Sequence, residues 1–182
     1  MPSIELDAVD RRILDLLQDD CALSNQELAA KALTSAPTCL RRVKRLVDSG
    51  VVERRIAILA PDRADTGLVT GLSAVIEVTL DRQAVDLQST FELRVAQDAA
   101  VQQMYRVASG PDFVLIVWVE DMEGYQALAQ RLFTSDANVR NVKTYFVVKR
   151  LKFEPRIAVL AQKAGETTGS EAGGSGRNAT NR

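Results

Sequence analysis

SNQELAAKALTSAPTCLRRVKRLVDSGVV, residues 24–52, holds two short helical patterns separated by a few small residues, and the second is densely basic on one side. At about 100° per residue around a helix, Cys39, Leu40, Val43, Leu46 and Val47 gather in one sector, while Thr38, Arg41, Arg42, Lys44 and Arg45 fill the opposite half. Ser35 is placed to cap the N-terminus of this helix. Pro37 falls in the first turn, where a missing N–H costs nothing, and Gly50 can take the left-handed conformation that ends a helix. Upstream, Ser24 and Glu27 have the spacing of a capping box, opening a helix whose Leu28 and Ala29 can pack on its successor.

Two such helices form a helix-turn-helix, whose second helix enters the major groove of DNA and offers its N-terminal side chains to base edges. The candidate DNA-contacting residues are Asn25, Ser35, Thr38, Arg41, Arg42, Lys44 and Arg45, with Thr38, Arg41 and Arg42 directed at bases and Lys44 and Arg45 at phosphates. A basic helix face by itself is commonly only a solvated face. The local charge balance adds weight. Residues 1–30 contain two Lys/Arg against seven Asp/Glu, a net of −5, and residues 31–60 contain seven against two, a net of +5. The whole-chain charge of −1 conceals this contrast. Continued by Arg54 and Arg55, the excess suits phosphate neutralisation, with the acidic first helix turned away.

At 182 residues, 46% apolar and 26% charged, the chain can bury one or two small cores as an ordinary soluble protein. The acidic start IELDAVD lacks the positive region of a secretory signal, and no apolar run approaches the roughly 18 residues of a membrane span. A cytoplasmic location without a membrane partner is expected. Cys21 and Cys39 are too few for a disulfide framework or a four-ligand zinc site and are expected to be free thiols. Histidine is absent, and with it the commonest acid–base group and metal ligand. No nucleophile–base pair, metal cluster or glycine-rich phosphate loop is recognisable, so no catalytic residue, metal or cofactor is expected and the chain is not read as an enzyme.

Asp7 can cap a first helix running through Gln18, with Val9, Ile13, Leu14 and Leu17 at helical spacing. Glu53–Leu59 alternates toward strand character, as a wing would, and ends at the turn signal Pro61-Asp62-Arg63. The pattern predicts a three-helix (winged) helix-turn-helix over residues 4–60 and a linker over 61–67.

Residues 68–155 follow a different rhythm. A period-two strand over Gly71–Leu80, a helix over Val85–Ala96 and a strand over Val101–Ala108 lead to a turn at Ser109-Gly110-Pro111. A strand over Phe113–Val119, a helix over Met122–Phe133 with Tyr125, Leu128 and Leu132 on one face, and a strand over Val139–Leu151 complete the half. The order βαββαβ predicts a ferredoxin-like sandwich with both helices on one sheet face, making the chain α+β. In Phe113–Val119, FVLIVWV, seven apolar residues run without a break, although a sheet with one wet face should alternate. A second copy of the chain is the simplest cover for the other face, giving a two-fold homodimer. Gln162–Arg182 has almost no apolar residue and reads as a disordered tail.

LDAVDRRILDLLQDD, SNQELA and SAPTCLRRVKRLVDSGVV, followed by a βαββαβ half carrying GPDFVLIVWVED and ANVRNVKTYFVVKR, resemble the Lrp/AsnC family of bacterial and archaeal transcription factors over about residues 4–155. The resemblance implies an amino-terminal reader of double-stranded DNA and a carboxy-terminal domain that binds an amino acid or related metabolite as effector. It also implies dimers, often assembled further into tetramers or octamers, that wrap or bend DNA. A regulator with its own operator uses base contacts, whereas an architectural, chromatin-like protein would bend DNA through phosphate contacts with weak sequence preference.

Three departures from the family pattern carry expectations. Leu33 stands where the turn usually holds glycine, and because a left-handed leucine costs about 1 kcal/mol or more, a remodelled turn is expected. Gly110 lies one position later than usual and precedes Pro111, altering the turn implied to line the effector pocket, for which the candidates are Tyr105, Ser109, Gly110, Asp112 and Phe113. Asp112 suits either plain turn chemistry or a contact to an effector amino group. Asn138 replaces a glycine before the last strand, as the ordinary residue that best tolerates the left-handed region, and Thr144 fits a threonine common in that strand.

Overall fold

The computed structural model describes residues 4–59 and 71–159. The expected turn at Pro61-Asp62-Arg63, the 61–67 linker and the 162–182 tail lie outside them. The chain divides into two compact units, one formed by residues up to Ala57 together with the segment that begins at Glu154, the other by Ile58–Phe153.

In the first unit α1 spans Ala8–Asp19, α2 Asn25–Lys31 and α3 Ala36–Asp48. Each start is fixed by a side chain. The Asp7 carboxylate accepts from the Val9 and Asp10 N–H groups, and Asp10 accepts in return from the Asp7 N–H. Ser24 and Glu27 form the expected capping box, and Ser35 accepts from the Thr38 N–H with Pro37 in the first turn. Ile13, Leu14, Leu28, Ala29, Ala32, Cys39 and Leu46 form the core.

The buried face of α3 is rotated relative to the sequence expectation. Cys39 and Leu46 are fully buried, whereas Leu40 is 61% exposed and Val47 is exposed as well. The core takes Cys39, Val43 and Leu46, and Leu40 belongs to the outward surface.

The turn is not remodelled. Leu33 is left-handed, with φ 57°. Its N–H donates to Ala30 O and the Thr34 N–H to Ala29 O, the paired bonds of a Schellman motif in which glycine normally occupies the Leu33 position. Two satisfied carbonyls offset the strain of one backbone conformation. Because the Leu33 side chain is 78% exposed, little burial would be lost by removing it. Leu33→Gly is therefore expected to stabilise the first unit by about 1 kcal/mol and raise its melting temperature by several degrees. A lower melting temperature by circular dichroism would mean that this side chain supports the fold.

No strand forms over residues 53–59, in contrast to the expected wing; alternation alone cannot hold a strand that has no partner ladder. The segment from Glu154 is instead attached to α1. The Gln18 amide donates to Ile157 O at 3.1 Å and accepts from the Ile157 N–H at 2.8 Å. Arg156 pairs with Asp15 and Asp19, and Val159 packs on the helical core.

The second unit is a four-stranded antiparallel sheet in the order β2-β3-β1-β4, with β1 at Leu72–Leu80, β2 at Val101–Arg106, β3 at Phe113–Val119 and β4 at Val139–Phe146. α4, Val85–Ala96, and α5, Met122–Ala129, the latter continued by a π-helical turn over Gln130–Thr134, complete the expected βαββαβ order. β2 and β4 end earlier than their sequence patterns predict. β4 stops where its ladder with β1 ends at Phe146 opposite Ala74. Phe91, Phe113, Leu115, Ile76, Val78, Val117 and Leu128 fill the core. No helix among the described residues is long and apolar enough to cross a membrane.

Asn138 does not use the left-handed region. Its side-chain oxygen accepts from the Arg82 N–H and its amide donates to Arg82 O, clasping the loop after β1. Thr144 meets the Tyr125 hydroxyl at 2.7 Å, and the Tyr125 ring packs edge-on against Phe146.

Candidate nucleic-acid interface and effector turn

The basic residues of α3 divide into two groups. Arg42 Nη1 donates to Asp7 Oδ2 at 2.7 Å and to Asp10 Oδ1 at 2.9 Å, while Arg45 Nη2 donates to Asp10 Oδ2 at 2.5 Å. Asp10 is only 1% exposed, and the Arg42 side chain retains 22% of its surface. The first helix is thus not turned away from α3: its two leading aspartates bind the arginines expected to face DNA. Arg42 is a clamp between α1 and α3, which corrects its assignment as a base reader. Hydrogen bonding from the Asp10 N–H, followed by that from Arg42, holds the Asp7 carboxyl down at about 2. Arg45 shares this clamp while its side chain stays 46% exposed.

Other expected contacts also have internal partners. Asn25 Nδ2 donates to Ala36 O at 2.9 Å, tying the start of α2 to the start of α3. The Ser35 hydroxyl donates to Thr38 Oγ1 at 2.8 Å while capping the helix. Asn25 and Ser35 therefore place α3, and Thr38 lies half-buried beside its cap. Pro37, Leu40, Arg41 and Lys44, all exposed and spaced i, i+3, i+4, i+7, form one outward ridge of α3. Leu40 and Val47 are the residues that helical periodicity misassigns. The missed signal was the pair Asp7 and Asp10, whose charges draw Arg42 and Arg45 toward α1.

In the second unit the β2–β3 turn is closed by Val107 N–H donating to Asp112 O, and Asp112 N–H donating to Val78 O. Gly110 has φ 86°, a conformation open to glycine at no steric cost, so its displaced position still serves the turn. Both Asp112 oxygens have internal donors: Leu80 N–H at 2.7 Å and Gln83 Nε2 at 2.8 Å. Phe113 is fully buried with its ring 5.0 Å from Phe91, which corrects its assignment as an effector contact: it faces the helices, not the turn surface. Ser109 and Gly110 are exposed, and Tyr105 is exposed with its hydroxyl donating to Gln103. Met104 packs on the core. Among the described residues no group of three or more Cys, Asp or Glu is arranged to hold a metal ion.

Residues 6–53 match the winged helix-turn-helix DNA-binding family, and residues 73–157 match the Lrp/AsnC ligand binding domain. The chain belongs to the Lrp/AsnC family. It is 34% identical over 152 residues to an uncharacterized HTH-type transcriptional regulator of Haemophilus influenzae, covering 84% of this chain and 88% of that one. It is 32% identical over 158 residues to the leucine-responsive regulatory protein of Escherichia coli, covering 87% and 94%. Among solved structures, an AsnC family transcriptional regulator from Agrobacterium tumefaciens superposes with a TM-score of 0.71 at 27% identity, over 84% of this chain and 96% of that one. A transcriptional regulator of Neisseria meningitidis, solved in complex with L-Met, gives 0.70 at 29% over the same shares. Like these Lrp/AsnC relatives, the chain is a transcriptional regulator with a DNA-binding helix-turn-helix and a small-molecule-binding domain, not an enzyme.

Proposed function

We propose that this chain is a sequence-specific, homodimeric DNA-binding regulator that responds to an amino acid or a related metabolite. The observation that carries the DNA half is the outward ridge of α3: Arg41 and Lys44 project from the helix that a helix-turn-helix inserts into the groove, while Arg42 and Arg45 hold that helix on Asp10. Specificity then rests chiefly on Arg41, and phosphate attraction on Lys44 and the cations near the helix.

Arg41→Ala is expected to lower affinity for the operator in the upstream region of its own gene by about 1–3 kcal/mol and to relax specificity there. Lys44→Ala is expected to weaken all DNA alike and to flatten the salt slope by about one unit. Fluorescence anisotropy on the footprinted operator and on a scrambled duplex separates the two. Equal losses on both duplexes for Arg41→Ala would favour an architectural role with weak sequence preference.

For the effector, the support is the family's ligand-binding domain, the leucine-responsive name of one relative and the L-Met complex of another. The β2–β3 turn around Ser109, Gly110 and Tyr105 is the region we assign to it, with Asp112 shaping the turn through Leu80 and Gln83. A thermal-shift screen of the twenty amino acids tests this, since a ligand at 100 times its Kd stabilises by about 2.7 kcal/mol.

A further inference from the structure

The outward ridge of α3 is not uniformly basic. Between Pro37 and the two cations Arg41 and Lys44 stands Leu40, 61% exposed. It is not needed for packing, because Cys39 and Leu46 are fully buried and Val43 completes the inner face. Single exposed leucines are common on protein surfaces. This one is set apart by its place. It is the fifth residue of α3, in the N-terminal half of the helix that faces base edges, and its neighbours on the ridge are Arg41, assigned above to base readout, and Lys44, assigned to phosphate attraction.

A leucine can neither donate nor accept a hydrogen bond, so it cannot read the polar edges of the bases. The major groove offers one apolar group, the 5-methyl of thymine, which distinguishes T·A from the other pairs by contact alone. We propose that Leu40 is a specificity-determining residue that packs on a thymine 5-methyl and selects T at one position of each operator half-site. The inference rests on the reading of α3 as the groove-facing helix. Burying a methyl-sized group is worth about 0.8 kcal/mol, which corresponds to roughly a fourfold change in affinity.

Replacing thymines of the footprinted operator one at a time by deoxyuridine removes the methyl and leaves every base-pairing and hydrogen-bonding group in place. The expected result is one position per half-site at which deoxyuridine weakens the wild-type chain about fourfold and leaves Leu40→Ala unchanged, with the two proteins differing least on the substituted DNA. Alanine keeps the helix, so an unaltered circular-dichroism melt is expected for the variant. If deoxyuridine at every position affects wild type and Leu40→Ala equally, the assignment of Leu40 is overturned. Arg41→Ala and Lys44→Ala separate this failure from a wider one. If they still weaken binding, only the methyl contact is lost, whereas undiminished binding by both removes α3 from the interface and this inference with it.

Discussion

Asp10→Ala is expected to unfold or severely loosen the DNA-reading unit, at a cost of about 3 kcal/mol. The Asp10 carboxylate is 1% exposed and receives Arg42, Arg45 and the Asp7 N–H, so its removal strands two cations and a helix-initiating donor at once. Breaking a buried ion pair from one side typically costs about 3–5 kcal/mol. The lower end applies because both arginines keep some access to water and Arg42 retains Asp7. For a unit of this size about 1 kcal/mol moves the melting temperature by roughly 4–8 °C, so the first unit should melt well below the second. Operator affinity should fall with it, although Asp10 faces no DNA. An unchanged melt would show that the clamp contributes nothing to the position of α3.

Acid should produce a milder form of the same effect. The Asp7 carboxyl is held at about 2 against an ordinary 3.8 by the Asp10 N–H and by Arg42. A carboxyl with a lowered native pKa adds stability that is fully present above its unfolded value and lost as pH falls through its folded value. The contribution of Asp7 should therefore fade between about pH 4 and pH 2. It should be modest, since the side chain is half exposed. Asp7→Asn should remove that portion of the acid sensitivity.

Helix starts were legible because caps depend on residues within three or four positions. The Ser24–Glu27 capping box and the caps at Asp7 and Ser35, the latter with Pro37 in the first turn, all form as expected. The sheet was legible because period two and an unbroken apolar β3 leave few topologies. Strand ends were not: β4 ends at Phe146 opposite Ala74, with the Val147 N–H still donating to Ser73 O, and no residue type in Val147–Leu151 marks that point. Residues 53–59 alternate without forming a strand because none of the described residues pairs with them as a ladder.

Within the site, residue types were legible and their directions were not. Helical periodicity separates the basic from the apolar half of α3 but does not say which arginines a second helix will claim. Asp7 and Asp10 decide that for Arg42 and Arg45 from 32 to 35 positions away in sequence. Similarly, Phe113 follows Asp112 directly, yet strand alternation sends Phe113 to Phe91 while Asp112 turns back to Leu80. Leu33 shows the reverse case: a propensity rule forbids its conformation, and the paired bonds to Ala29 and Ala30 impose it.

Trp118→Asp is the second large effect expected, on assembly. Register places Trp118, Ile116 and Val114 on the sheet face opposite the helices, beside Val75 of β1, with Tyr105 and Tyr145 toward the outer strands. α4 and α5 cover the other face, whose Phe113, Leu115 and Val117 are fully buried. The centre of this face is a half-buried apolar patch flanked by Ser73, Glu77 and Lys143; such a patch is an aggregation hazard unless a partner covers it, and a second copy would do so symmetrically. A carboxylate in that surface costs about 3 kcal/mol or more, corresponding to a loss of 100-fold or more in dimer affinity. Trp118 also lies over Gly71, where an added Cβ would collide with the indole, so the mutation disturbs its own chain as well. Ile116→Asp provides the comparison without that contact. Both variants should sediment as monomer or aggregate, and Ile116→Asp should retain its helical circular-dichroism signal. Operator affinity should drop more than affinity for random duplex, because one head alone cannot span two half-sites. If both variants remain dimers of unchanged stability, the sheet face is not the interface, and its apolar residues require a different partner.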